Sequence, residues 1–87
     1  MEINGKKFDI NTNLKFKTEK FMNFCLNNPE NPKVISYTEL ILRDMLIPSP
    51  TGQDIGEFRK SDIENVFMEY AKLVKEADKE AKKKLST

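Results

Sequence analysis

Residues 1–10, MEINGKKFDI, decide the fold class of this chain. The pair Asn4–Gly5 favours a two-residue type I′ turn, because both central positions of that turn require a positive φ angle. The residues that follow the pair alternate between polar and apolar side chains, as short strands with one buried face do. An isolated two-stranded hairpin is barely stable in water, so we expect Phe8 and Ile10 to pack on helices. The stretch predicts a β-hairpin with strands at residues 1–3 and 6–10.

The rest of the chain predicts helices whose starts carry capping signals. A polar residue, Thr12 or Asn13, is the expected N-cap of the first helix, and Pro29 stops this helix because it forces the preceding residue into an extended conformation. The other two helices each open on a serine with a glutamate three residues later, which predicts two capping boxes: Ser36 with Glu39, and Ser61 with Glu64. We expect helices at about residues 13–27, 36–47 and 61–82.

These elements predict a mostly helical α+β fold, with an N-terminal β-hairpin followed by three helices. The 87 residues are enough for one domain, so we expect residues 1–87 to form a single unit with a modest core. From residue 78 onwards the side chains are mainly charged. We therefore expect residues 78–87 to be a frayed or solvent-projecting helix end.

The charge balance argues against partners that are recognised by charge alone. Fifteen Lys and Arg oppose fourteen Asp and Glu, for a net charge of +1, which steers the protein neither to nucleic acid nor to an anionic membrane. Lysines of the last helix alternate with acidic residues, which is typical of a solvated helix face. The sequence has neither an apolar run of about 18 residues nor the apolar core of a secretion signal. We expect a cytoplasmic protein that does not bind membranes.

The residue types present predict no catalysis and no cofactor. There is no histidine, and Cys25 is the only cysteine, so a Cys/His metal site or a Cys–His nucleophile pair cannot form. We expect Cys25 to act as a small hydrophobe in the core. A carboxylate cation site is conceivable, but acids at helix starts also favour the helix dipole, and the spacing of an EF-hand is absent. The acids concerned are Asp54, Glu57, Asp62 and Glu64.

The second predicted helix is apolar around most of its circumference. Such a helix is either central in its domain or partly buried in a partner, and both interpretations stay open. We expect this helix and the loop after it to form a partner-binding or self-association surface from Leu42, Met45, Leu46, Ile47, Ile55 and Phe58. Three methionines add adaptable apolar side chains: Met22, Met45 and Met68.

Two stretches resemble the small tail assembly chaperones of long-tailed, siphovirus-type phages and prophages. The opening MEINGKKFDI, followed by a polar step and a Phe-rich helix, is similar to their N-terminal part. The stretch ELILRDMLIPSPTGQDIGEFRKSDIENVFMEYAKLV is similar to their second half, with a Leu-rich helix, a proline-containing loop and a closing amphipathic helix. The resemblance implies a non-catalytic, oligomeric protein in the host cytoplasm. Its implied partners are the tape-measure protein, which it coats, and tail-tube subunits, which it recruits.

The resemblance also implies a longer form made by ribosomal frameshifting near the end of the short one. A run of A can encode three consecutive lysines, so Lys82–Lys84 are the expected slip point. The alternative function is that of a small regulatory protein of a mobile element, which binds DNA or a repressor through its helices. The nearly neutral charge and the lack of a basic recognition helix argue against that alternative.

Overall fold

The structure, a computed structural model, describes the backbone of residues 1–85 and the side chains of residues 1–78. It is a mostly helical α+β fold with a hairpin at the N-terminus, which confirms the predicted fold class. The strands are β1 (Glu2–Ile3), β2 (Lys6–Lys7), β3 (Asp9–Ile10) and β4 (Leu46–Ile47). The helices are α1 (Phe16–Asn27), α2 (Lys33–Met45), α3 (Gly52–Gly56) and α4 (Lys60–Leu85).

Strands β1 and β2 form the predicted hairpin around a two-residue turn. Ile3 lies opposite Lys6, and the two residues between them have positive φ angles, 51° at Asn4 and 82° at Gly5. Both angles fit a type I′ turn, so the prediction from this pair is confirmed. The pairing extends to Met1 and Phe8, which exchange two 2.8 Å hydrogen bonds between their main-chain groups.

A second two-stranded sheet was not predicted. The strand expected at residues 6–10 divides at Phe8, after which β3 leaves the hairpin and pairs antiparallel with β4. In this sheet Asp9 lies opposite Ile47, and Ile10 lies opposite Leu46. The helix expected to run to residue 47 therefore ends at Met45, because the next two residues satisfy their main-chain groups in a sheet instead.

The predicted helix starts are wrong by one to three residues. Helix α1 begins at Phe16, and its N-cap position is Lys15 rather than Thr12 or Asn13. Helix α2 begins at Lys33, whose N–H donates to Asn31 Oδ1 at 2.9 Å. Ser36 and Glu39 consequently lie inside α2 and form no capping box.

The capping residues of the last two helices also differ from those predicted. Helix α4 begins at Lys60, and Asp62 accepts the Arg59 N–H at 2.9 Å, so the expected box of Ser61 and Glu64 is absent. A complete capping box occurs instead at the start of α3, between Thr51 and Asp54. The short helix α3 was not predicted.

The core lies where the hairpin, α2, β4 and α4 meet. Its buried hydrophobic residues are Ile3, Phe8, Ile41, Leu42, Met45, Leu46 and Val66. Phe8 is 3 % exposed and meets the ring of Phe58 edge to face, with the ring centroids 6.1 Å apart. Ile10 is half-buried against the same core. The hairpin is thus held on the helices, as the sequence predicted.

Helix α4 is much longer than its neighbours. Its 26 residues span about 39 Å, whereas α1 and α2 have 12 and 13 residues. The described side chains end at Asp78, so the expected frayed end at residues 78–87 and the expected slip point at Lys82–Lys84 lie almost entirely outside them.

Candidate partner-binding surfaces

The structure places three of the six expected partner-binding residues in the core. Leu42 and Met45 are 0 % exposed and Leu46 is 1 % exposed, in one cluster with residues of the hairpin and of α4. A surface made by these three side chains does not exist on the folded chain. The expectation is corrected because these three side chains pack with Ile3 and Phe8 of the hairpin and with Val66 of α4.

The other three expected residues are accessible but do not form one surface. Ile47 on β4 is half exposed. Ile55 on α3 and Phe58 in the next turn are half-buried and pack against the core. Ile55 lines an apolar groove between α2, α3 and the start of α4, and Leu42, another of the six expected residues, lies at its base; the other apolar lining residues are Val34, Ile35 and Ile63. Polar and charged groups of Thr38, Glu39 and Lys60 also line that groove.

A more strongly apolar groove lies between α1 and α4. It has a volume of about 510 Å³ and is lined by Met22 and Leu26 of α1, Ile41 of α2, and Phe67, Ala71 and Val74 of α4. Among the described residues, Tyr70 and Lys75 complete the lining. We call this the α1–α4 groove. Leu26 is 77 % exposed, so a large apolar side chain faces solvent at its edge.

Helical periodicity explains why these side chains lie together. Met22 and Leu26 are four residues apart and share a face of α1, and Phe67, Ala71 and Val74 share a face of α4 in the same way. On α4 this face adjoins the buried residue Val66. The groove is therefore the continuation, along α4, of the stripe that builds the core.

Tyr70 sits where the core passes into the groove. Burial raises the pKa of its phenol, and the negative charge of Glu19 raises it further. The phenol therefore stays neutral at physiological pH, and it contributes an apolar ring with one polar tip to the groove. Of the lining residues that the structure describes, Lys75 is the one with a formal charge.

Methionines make this side of the molecule adaptable. Met22 lines the groove, and Met68 lies one turn from Ala71 on α4 and is 68 % exposed. Unbranched thioether side chains change rotamer at low cost and can fit different apolar partners. The third methionine named from the sequence, Met45, is buried and has no such role on the surface.

Cys25 is half-buried rather than fully buried. Its Sγ lies 4.0 Å from the carbonyl oxygen of Val34, and burial raises the pKa of the thiol. A thiol with a raised pKa is a poor nucleophile. Across the described residues, no group of three or more Cys, Asp or Glu side chains is placed to hold a metal ion.

The described residues form a small, mostly helical α+β fold with apolar grooves on its surface. None of the helices in the described part of the chain is long and apolar enough to cross a membrane. Comparisons of the chain with protein-family models, with curated protein sequences and with solved structures gave no match. The α1–α4 groove is therefore the feature from which a function is best inferred.

Proposed function

We propose that this protein is a tail assembly chaperone of a long-tailed phage or prophage. In this role it is a non-catalytic binding protein that coats the tape-measure protein and recruits tail-tube subunits in the host cytoplasm. The resemblance of residues 1–10 and of the second half of the chain to that family supports the proposal. The single observation that carries it is the α1–α4 groove, an accessible apolar surface on a domain with a net charge of only +1.

The groove suits the apolar face of an amphipathic client helix. Helix-in-groove recognition uses apolar side chains spaced three or four residues apart on the client, and a lining of Leu, Phe, Val and Met side chains accepts them. Such contacts are favourable in proportion to the apolar area removed from water, at about 25 cal/mol per Å². Such contacts also require no unique client sequence. A protein that coats a long client needs this tolerance, because it must bind many different segments.

Release of the client is as important as its capture. The groove is open to solvent on one side, and its edges are an exposed leucine, Leu26, and a flexible methionine, Met22. A binding surface of this kind gives contacts that are individually weak, so that client segments can dissociate when the tube polymerises. Coating of a long client further implies that several copies lie side by side, and we propose a homo-oligomer on the client.

Co-expression tests the proposal with two matched variants on one helix. The client is the tape-measure protein encoded near this gene, and the readout is its solubility and co-purification. Leu26→Glu puts a charge into the groove and should weaken co-purification by about tenfold or more, since a buried unpaired charge is strongly unfavourable. Phe16→Glu is the control, because Phe16 is also exposed, at 72 %, but lies outside the groove.

The alternative, a small regulatory protein, predicts a different pattern. Binding to duplex DNA would fall steeply with added salt, because cation release dominates such binding. Binding of an apolar client should change little over the same range. If DNA binds and the tape-measure protein does not, the chaperone proposal is wrong.

A further inference from the structure

A second cleft, beside the N-terminal half of α1, has a different chemical character from the α1–α4 groove. It has a volume of about 520 Å³ and lies between the first half of α1, the second half of α2 and β4. Its apolar lining comes from Phe21, Leu40, Leu46 and Ile47. Leu40 and Ile47 are 43 % and 50 % exposed, so part of this lining faces solvent. We call it the basic cleft, because Lys15, Lys17 and Arg43 also line it.

Three cationic side chains surround the apolar lining: Lys15, Lys17 and Arg43. Neither lysine forms an ion pair with a carboxylate within the described part of the chain, where the ion pairs are Lys6–Asp54 and Arg43–Glu39. The pair of Arg43 with Glu39 is solvent-exposed and 3.3 Å long, which makes it weak and easily exchanged.

One carboxylate, that of Asp44, also lines the cleft, and neutral donors hold its Oδ2. Its Oδ2 accepts hydrogen bonds from the Lys15 N–H and the Thr18 hydroxyl, both at 2.8 Å, and the Asn11 side-chain amide lies 3.5 Å from its Oδ1. These donors stabilise its negative charge within the protein. Because these donors are neutral, the charge of Asp44 remains; the described lining carries three positive charges against this one negative charge and is positive in sum, although the whole chain is nearly neutral.

We infer that the basic cleft is a second binding site, whose ligand is an acidic segment of a partner protein with apolar side chains along one face. The acidic side chains meet Lys15, Lys17 and Arg43, and the apolar ones cover Leu40 and Ile47. The cations alone would bind any polyanion. The apolar residues at the base of the cleft add a second requirement, because the ligand must also carry apolar side chains that cover them. The inference is independent of the chaperone assignment, since it uses neither the α1–α4 groove nor the family resemblance.

Fluorescence anisotropy with synthetic peptides tests the inference on the full chain. The probe is a labelled helical peptide with leucines on one face and glutamates elsewhere. Two comparison peptides carry lysine in place of each glutamate, or serine in place of each leucine. The probe should bind, and both comparison peptides should bind about tenfold more weakly or worse, since each lacks one half of the complementarity.

Charge-reversal variants locate the site. The double variant Lys15→Glu with Lys17→Glu should weaken probe binding by about tenfold or more. The control is Lys20→Glu with Lys72→Glu, which changes the net charge equally at two exposed lysines outside the cleft and should bind the probe like the unmodified protein. Ile47→Ser tests the apolar floor separately and should also weaken binding. Circular dichroism establishes that each variant is folded.

Three results would overturn the inference. The first is equal probe affinity for the cleft double variant and the control double variant. The second is tight binding of the serine peptide, which would mean that charge alone suffices. The third is binding of duplex DNA at the same lysines with no binding of the probe, which would make the cleft a nucleic-acid contact.

Discussion

The hydroxyl of Thr18 donates a 2.8 Å hydrogen bond to Asp44 Oδ2 and thereby joins the start of α1 to the end of α2. Thr18 is 2 % exposed, so the pair lies at the edge of the core. The same carboxylate oxygen accepts the main-chain N–H of Lys15, at the N-cap position of α1. Asp44 therefore caps α1 from another helix, and its negative charge also favours the positive end of the α1 dipole.

We predict that Asp44→Ala lowers the free energy of unfolding by about 1–3 kcal/mol, because the buried Thr18 hydroxyl and the N–H of the N-cap residue Lys15 lose their acceptor. Urea denaturation followed by circular dichroism measures the change. The control is Glu30→Ala in the loop between α1 and α2, where the side chain is exposed and forms no hydrogen bond among the described residues. Equal midpoints for the two variants would show that the cap contributes nothing.

The turn of the hairpin is tested by two alanine substitutions. Gly5 has a φ angle of 82°, and no atom lies within 4 Å of an added Cβ, so Gly5→Ala changes only the backbone energy. We expect a loss of about 1 kcal/mol in stability. Gly56→Ala is the control, because that site is equally open but its φ is not positive, and it should be neutral or slightly stabilising. A Gly5→Ala variant with the same free energy of unfolding as the unmodified protein would contradict the type I′ turn.

Two neighbouring residues of β4 test which side of that strand is buried. Leu46 is 1 % exposed and Ile47 is 50 % exposed. We expect Leu46→Ala to cost about 2–5 kcal/mol, and Ile47→Ala well under half as much, because only the first leaves a cavity. Thermal or urea unfolding of both variants gives the comparison. If the order were reversed, the register of β4 against β3 would be wrong.

The ion pair between the hairpin and α3 predicts an acid-dependent change. Lys6 Nζ lies 2.6 Å from Asp54 Oδ1 and, together with the Thr51 N–H, lowers the pKa of Asp54 to about 2. Because the folded pKa is below the ordinary value of 3.8, the stabilising contribution is present above that value and is lost as the pH falls from there to about 2.

Lys6→Ala should raise the pKa of Asp54 towards its ordinary value, since the lysine is the largest cause of the shift. Carboxyl titration by NMR measures the pKa directly. Lys7→Ala, at an exposed lysine without an ion pair in the described residues, should leave that pKa where it is. An unchanged pKa in Lys6→Ala would show that the ion pair does not form in solution.

Local signals predicted the hairpin and the fold class, whereas distant contacts decided the rest. The turn follows from two adjacent residues, Asn4 and Gly5. The end of α2 does not, because Leu46 and Ile47 leave the helix to pair with a strand more than thirty residues earlier in the chain. Likewise the start of α1 depends on Asp44, which local capping rules do not consider.

The candidate site could be predicted only in part. The periodicity of the sequence predicts the apolar face of the last helix. Which part of that face remains accessible to solvent depends on where α1 packs against α4, and the sequence does not give that position. The spacing of Met22 and Leu26 was the available signal, since both fall on one face of α1. The prediction that apolar residues of α2 form a surface was wrong for Leu42 and Met45. A helix that is apolar around its circumference can also lie at the centre of its domain, and both residues are buried in the core.

Backbone amide NMR of the labelled protein is the most direct test of the central claim that the α1–α4 groove holds an apolar client helix. Peptides covering the apolar helical segments of the tape-measure protein are added stepwise. We predict that at least one of them gives its largest shift changes at Met22, Leu26, Ala71 and Val74, and that Leu26→Glu removes them. Binding that shifts other surfaces and leaves these four amides unchanged, or no binding by any segment, would contradict the account.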